Sequence, residues 1–276
     1  MRLAAVCAIY GDFDLIPPVP DGVEDAVLVT DRPVRSGWRN VVEPSELAPR
    51  MSAKRPKCRP DLYTECEASL WMDGSLHLLD DRFIRLVREK LEHHEIVVWD
   101  HPEDRDCIQQ EALHCHDWTK YRDEPILRQA DHYRASGMPE HFGLYALGSI
   151  ARHHTTRMRS LGDAWMDEMR EWTIQDQISL PYLFWKGGIQ PGTFEIDQYD
   201  NDMLVWMPHA AELRRYRETV LGLESALIHA NGRAEHFEAL LRQERAEKER
   251  LLRRRSVRVA LGLAELAKPL FRRGRA

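Results

Sequence analysis

Apolar residues recur along this chain in two rhythms. In the first, short continuous runs stop at a turn residue or a carboxylate: Leu3 to Ile9 before Tyr10-Gly11-Asp12, Ala26 to Thr30 before Asp31, Ala68 to Met72 before Asp73-Gly74, and Glu95 to Trp99 before Asp100. Runs of this length, rich in β-branched residues, predict strands covered on both faces, and ligands of open α/β sheets collect outside the carboxyl ends of such strands. Trp38 to Val42 and Leu144 to Ala151 read as two more strands. Helical patterns lie between them. Ser45 to Arg55 opens on a capping-type serine and is expected to stop at Pro56, and a run led by Asp80 or Asp81 sets Phe83, Ile84, Val87 and Leu91 on one face. Residues 104–118, 124–136 (closed by Gly137), 160–172 and 174–186 (ended by Gly187-Gly188) complete the helices. Alternation of this kind predicts an α/β sandwich with a mostly parallel sheet.

The second rhythm begins at Ala210. Leu213, Tyr216, Val220, Leu223, Leu227, Ala230, Ala234, Phe237 and Leu241 alternate spacings of three and four, the heptad of a long helix, and Glu244 and Lys248 then interrupt the seam. Such a helix pairs with a second copy as a coiled coil, making a homodimer, or packs back on its own domain. From Ser256 to Arg275 apolar positions alternate with basic ones, a pattern that suits an anionic membrane interface or a solvated tail. The expected organisation is therefore a domain over 1–209, a long helix over 210–252 and a basic amphipathic segment over 253–276.

Composition sharpens this. With 276 residues, 43% hydrophobic and 30% charged, the chain can bury a large core. Its net charge of −6 is uneven: residues 253–276 hold eight Lys or Arg against Glu265 alone, about +7, leaving about −13 on the rest. A nucleic-acid partner is not expected. The 5 cysteines are scattered without a Cys-x-x-Cys pair, which excludes a disulfide framework or zinc knuckle, and the apolar run after Arg2 is too short for a signal peptide or membrane span. A cytoplasmic protein held peripherally at the inner face of the membrane fits these features.

Candidate chemistry gathers at strand ends and helix starts. Asp73 closes an apolar run and Gly74 lets the backbone turn or approach a ligand, although Asp-Gly also begins ordinary hairpins. Lys54, Arg55, Lys57 and Arg59 form a basic cluster just ahead of that strand, suited to phosphates or simply solvated. Asp176 opens an apolar helix with Gln175 and Gln177; it is placed either to satisfy the helix N-terminus or to take a proton from a sugar hydroxyl. The pairs His93-His94 and His153-His154 and the triplet His114-Cys115-His116 lack zinc spacing and read as structural.

Taken in order, Tyr10-Gly11-Asp12, Val29-Thr30-Asp31, Lys54-Arg55-Pro56-Lys57, Ser69-Leu70-Trp71-Met72-Asp73-Gly74, His101 with Arg105, Cys107 and Glu111, Gln129 with Tyr133, and Asp176-Gln177-Ile178-Ser179 resemble one family. It is the glycosyltransferase-like family of plant and bacterial proteins, first catalogued as a domain of unknown function, whose plant members are linked to cell-wall pectin and mucilage. The resemblance covers about residues 1–207. It implies a GT-A type fold and a hexosyl- or uronosyltransferase that moves a sugar from a nucleotide-sugar donor to a glycan or lipid-linked acceptor. By position it implies that Tyr10, Gly11, Asp31, Lys54, Lys57, Trp71, Asp73 and Gly74 bind the donor and that Asp176 is the catalytic base. His101, Arg105, Glu111, Arg152 and Gln177 then stand on the acceptor side or in support. It further implies a divalent metal, Mn²⁺ or Mg²⁺, at Asp73 with His209, although Ser75 rather than a carboxylate holds the second position of the usual metal pair. A different outcome, an inert domain of this fold kept as a coiled-coil interaction module, is set against the enzyme, with a nucleotide-sugar hydrolase as a third reading.

Overall fold

A computed structural model describes residues 1–253 except 45, 46, 103 and 104. The basic segment beyond Arg253 therefore lies outside the described residues. The chain divides after Leu213 into two compact units.

The first unit is built on β1 (Leu3–Ile9), buried at every position. Alternate side chains of β1 enter two separate cores: Ala4, Val6 and Ala8 on one face, Leu3, Ala5, Cys7 and Ile9 on the other. Period-2 alternation in which both faces are apolar is what a central strand requires. On one side β1 pairs in parallel with β2 (Asp25–Thr30), which pairs in parallel with β3 (Arg39–Val42). On the other side β1 pairs in parallel with β4 (Ala68–Met72), setting Cys7 beside Met72. The carboxyl ends of β1, β2 and β4 thus open onto one edge.

Between β3 and β4 runs α1 (Pro49–Cys58). After β4 come the short β5 (Leu76–Leu78), α2 (Arg82–Leu91), β6 (Ile96–Asp100), α3 (Ile108–His116), α4 (Ile126–Ala135), β7 (Tyr145–His153), α5 (Thr156–Glu171), α6 (Asp176–Gly187), β8 (Gly192–Thr193) and β9 (Leu204–Trp206). The seven-stranded sheet has the order β3-β2-β1-β4-β7-β6-β8. Only β7 runs against its neighbours β4 and β6. The remainder is parallel, so the sheet is mostly parallel, as the alternation of elements predicts, and the fold is GT-A-like. α2 supplies Phe83, Ile84, Val87 and Leu91 to one core, and α3 to α6 build the other. β5 and β9 form a separate antiparallel ribbon.

One helix differs from expectation. Pro56 was expected to end it, yet α1 starts later, at Pro49, and passes through Pro56 to Cys58. Proline at the first helical position loses nothing, since that N–H has no helical partner, whereas an internal proline removes one i to i−4 bond. Arg152, fully buried on β7, compensates at the helix end: its Nη1 donates to Cys58 O at 3.1 Å and its Nη2 to Lys57 O at 2.5 Å. Two carbonyls that the helix leaves unpaired are thereby satisfied.

The second unit comes from α7 (Ala210–Arg253), a single helix of 44 residues. No helix of the described residues is long and apolar enough to cross a membrane.

Candidate active site

Parallel register at β1, β2 and β4 places three loops side by side. Gly11 (φ +63°) and Asp12 (φ +52°) turn the chain sharply after β1, and Gly11 N donates to Asp31 Oδ2 at 2.9 Å. Glycine adopts that left-handed backbone without steric cost. Asp31 thus shapes the turn. After β4, Asp73 N donates to Gly148 O at 2.8 Å, and a Cβ on Gly74 would lie 2.7 Å from Cβ of Asp14. Only glycine lets Asp14 approach this closely.

Above these loops lies a cleft of about 740 Å³, lined from the loop after β1 by Tyr10, Phe13 and Asp14, from α1 by Arg50, Lys54 and Lys57, from β4 and the residue after it by Trp71 and Asp73, from the α3–α4 connection by Trp118, Lys120 and Tyr121, from α6 by Asp176 and Gln177, and by His209. Lys54 and Lys57 are three residues apart on α1 and so share a face. Both reach Asp176 Oδ2, at 2.6 and 2.7 Å, and Lys57 Nζ also lies 3.5 Å from Asp73 Oδ1. Trp71 Nε1 donates to the same Asp73 oxygen at 2.7 Å.

All three members of this cluster are buried or nearly so. Burial alone disfavours the charged forms, but for Asp176 the Lys54 and Lys57 ammonium groups outweigh it and hold the carboxyl far below the usual range. Lys57 faces burial too, yet Asp176 and then Asp73 raise it above its ordinary value. Lys54 is lowered, because burial and its neighbour Lys57 exceed what Asp176 returns. Burial, followed by Arg50, lowers Lys120 as well. The Arg50 guanidinium stands 5.2 Å from the centre of the Tyr121 ring and Lys120 Nζ 4.5 Å from that of Trp118. Four cations, Arg50, Lys54, Lys57 and Lys120, line the α1 and α3–α4 side of the cleft, whose lining also holds the carboxylates of Asp14, Asp73, Asp176 and Glu212, so a polyanion would be met on the basic side.

Asp176, expected as the catalytic base, lies between two ammonium groups, which lower its proton affinity and so work against proton abstraction by it. In this arrangement it holds the two lysines side by side. His101, Arg105 and Glu111 do not line the cleft. Glu111 is buried and accepts from Arg105 Nε at 3.0 Å and from Gln175 Nε2 at 2.9 Å, while Gln175 Oε1 accepts from Tyr121 at 2.9 Å. These three residues brace the floor beside Asp176. Arg152 supports α1 as described, and Gln177 both lines the cleft and donates to Tyr145 O at 3.1 Å.

A divalent cation at Asp73 and His209 requires their donors to converge. Instead His209 Nδ1 meets Asp14 Oδ1 at 2.5 Å, and Asp73 Oδ1 is shared by Trp71 and Lys57. Among the described residues, the three-residue group of His, Cys or acidic donor atoms that gathers within 4.8 Å is Asp106, Cys107 and His141, none of which lines the cleft. The donors present do not fit the expected metal, and ammonium groups occupy the position beside Asp73. His153 and His154 bond to backbone carbonyls of Leu91 and Cys66, consistent with structural roles.

Sequence reading passed over Asp14, Arg50, Trp118, Lys120 and Tyr121. The last three were visible as an aromatic and basic run at 118–121, but Asp14 had no local signal. Its carboxyl is raised by burial, an effect that His209 opposes. His209 packs against Phe13 with the rings tilted by 48° and their centres 4.5 Å apart.

Residues 28–203 match the TOD1/MUCI70 glycosyltransferase-like domain. The matched span holds Lys54, Lys57, Asp73 and Asp176. No curated protein matches the chain.

Proposed function

The chain belongs to the TOD1/MUCI70 glycosyltransferase-like domain family, and from that premise we propose that it transfers a hexosyl or uronosyl group from a nucleotide-sugar donor to a hydroxyl of a glycan or lipid-linked acceptor. The observation that carries the reading is the convergence of Lys54 and Lys57 on Asp176 at the carboxyl end of β4. In the proposed reaction the bond between the anomeric carbon and the phosphate oxygen breaks, and the nucleoside diphosphate leaves with its charge taken up by the two ammonium groups. Fixed cations in a cleft stabilise such a leaving group without reorganisation. Trp118, 42% exposed at the cleft and backed by the buried Tyr121 ring 6.3 Å away, offers its indole to the nucleobase or sugar.

The acceptor oxygen attacks the anomeric carbon and gives its proton to His209, which Asp14 orients. The Asp14 carboxylate fixes the orientation of the imidazole that receives the proton. His209→Asn is accordingly expected to leave nucleotide-diphosphate affinity within about twofold while lowering transfer on the order of 100-fold or more. Equal loss of binding and turnover would remove His209 from the chemistry. The basic character of residues 253–276 supports an acceptor drawn from an anionic membrane surface, with the enzyme held peripherally at the inner face.

The direct test is thermal stabilisation by UDP and other nucleoside diphosphates, with Mn²⁺ and with a chelator. Binding to the native state alone stabilises by about 2.7 kcal/mol at a hundredfold excess over Kd. At least one nucleotide is expected to raise the melting temperature equally in both conditions, because lysines provide the positive charge. A shift seen only with metal would restore the ion. No shift with any nucleotide would leave the inert interaction module.

A further inference from the structure

Helix α7 carries an apolar stripe that the sugar-transfer site does not use: Val220 is 52% exposed, Leu223 66%, Leu227 61% and Phe237 67%. The helix also includes Gly222 and Gly232, residues that weaken a helix lacking tertiary support. Both glycines fall on the outer positions of the heptad, while Leu213, Val220, Leu227, Ala234 and Leu241 occupy one seam position and Tyr216, Leu223, Ala230, Phe237 and Leu251 the other. A stripe with this spacing is complementary to a copy of itself.

We infer that α7 pairs with α7 of a second copy as a parallel, in-register, two-stranded coiled coil. Charges beside the seam decide the direction. In the parallel register Arg233 of one copy faces Glu238 of the other, and twofold symmetry makes this pair twice. Glu238 also has an intrahelical partner, Arg242 at 3.5 Å, and a carboxylate can accept from both. The same register sets Glu244 against Glu244 and Lys248 against Lys248 in successive layers, like-charge contacts eased by the opposite charge one layer away and by their place near the end of the apolar stripe.

The antiparallel alternative with full overlap places Leu213 against Leu251 of the second copy. That register sets Arg217 against Arg245, Glu224 against Glu238 and Arg233 against Arg233, all like charges. It also puts Glu244 against Val220 and Lys248 against Tyr216, leaving buried charge without a partner. The flanking charges therefore favour the parallel direction, whereas the apolar spacing alone would permit either.

The test uses the full chain and does not depend on the sugar-transfer reading. Sedimentation should give the mass of two copies, and Val220→Asp with Leu227→Asp should give one, with the cooperative thermal unfolding of the first unit as a check of its folding. A monomeric parent, or an unchanged mass in the double variant, overturns the proposal. Direction is read by oxidative cross-linking, for which the background is low because all five native cysteines are buried. Leu227→Cys alone should cross-link copy to copy. Cross-linking only when Leu227→Cys is mixed with Phe237→Cys would mean an antiparallel coil and would overturn the proposed direction. Finally, Arg233→Glu should weaken the dimer by about tenfold, and Arg233→Glu with Glu238→Arg should restore it; failure of the charge swap to restore affinity would count against the register.

Discussion

Replacing Asp176 by asparagine is expected to destabilise the protein by about 3 to 5 kcal/mol, a loss of roughly 6 to 20 °C in melting temperature for a domain of this size. The side chain removed is 8% exposed and is the shared partner of two lysines, themselves 15% and 5% exposed. Without it two ammonium groups face each other in a site that hydrates neither well, and breaking a buried pair costs more than the pair itself contributes. A nucleoside diphosphate should recover part of the loss by supplying the missing negative charge.

The effect has a pH signature. Asp176 has a folded-state pKa below its unfolded value of 3.8, so the stability it contributes is fully present above pH 4 and is lost as pH falls through the folded value. The gap between the parent and the asparagine variant should therefore be complete at pH 7 and shrink below about pH 4, as urea midpoints across that range would reveal. Lys57, raised in the folded state, adds stability that is present below 10.5 and lost as pH rises through its folded value. An asparagine variant with unchanged stability, unresponsive to nucleotide, would contradict the role given to the cluster.

Lys54→Met with Lys57→Met is expected to weaken nucleotide-diphosphate binding by more than about 100-fold, since each charge-assisted contact to a phosphate contributes about 1.5 to 3 kcal/mol. That double variant strands Asp176, so loss of fold would compete with loss of binding as an explanation. Adding Asp176→Leu removes the whole ion cluster, and replacing a buried ion group by apolar residues of similar volume is often neutral or stabilising. Calorimetry on the triple variant should therefore find a folded protein that does not bind UDP. Binding at the parent's affinity would mean that the phosphates sit elsewhere, with Arg50 and Lys120 as the remaining cations of the cleft.

Much of this fold was legible because it depends on near neighbours in the chain. Leu3 to Ile9 is apolar at every position, so it had to lie between two covered faces, and its end had to open at a sheet edge. Alternating strands and helices led to a mostly parallel sheet, and the heptad from Leu213 led to one long helix, because side-chain periods of two and of three to four follow directly from backbone geometry. The Asp73-Gly74 strand end and the basic cluster before it marked two walls of the cleft for the same reason.

Charge partnership was not legible in this way. Asp176 seen alone at a helix start left a helix-terminal role and a proton acceptor both open; its bond to Lys54 spans 122 residues, and only closure of the chain turns that carboxylate into the clasp of a lysine pair. Asp14 and His209, 195 residues apart, meet for a similar reason and stand beside a strand end where Ser75 lacks a carboxylate. Pro56 argued for a helix end, and Arg152, reaching across from β7, supplied the hydrogen bonds that let α1 run on to Cys58. Local pattern determined which elements form, since each depends on a few adjacent residues. Tertiary structure decided what each charge does, since proton affinity and pairing are set by whichever groups the folded chain brings within a few ångströms.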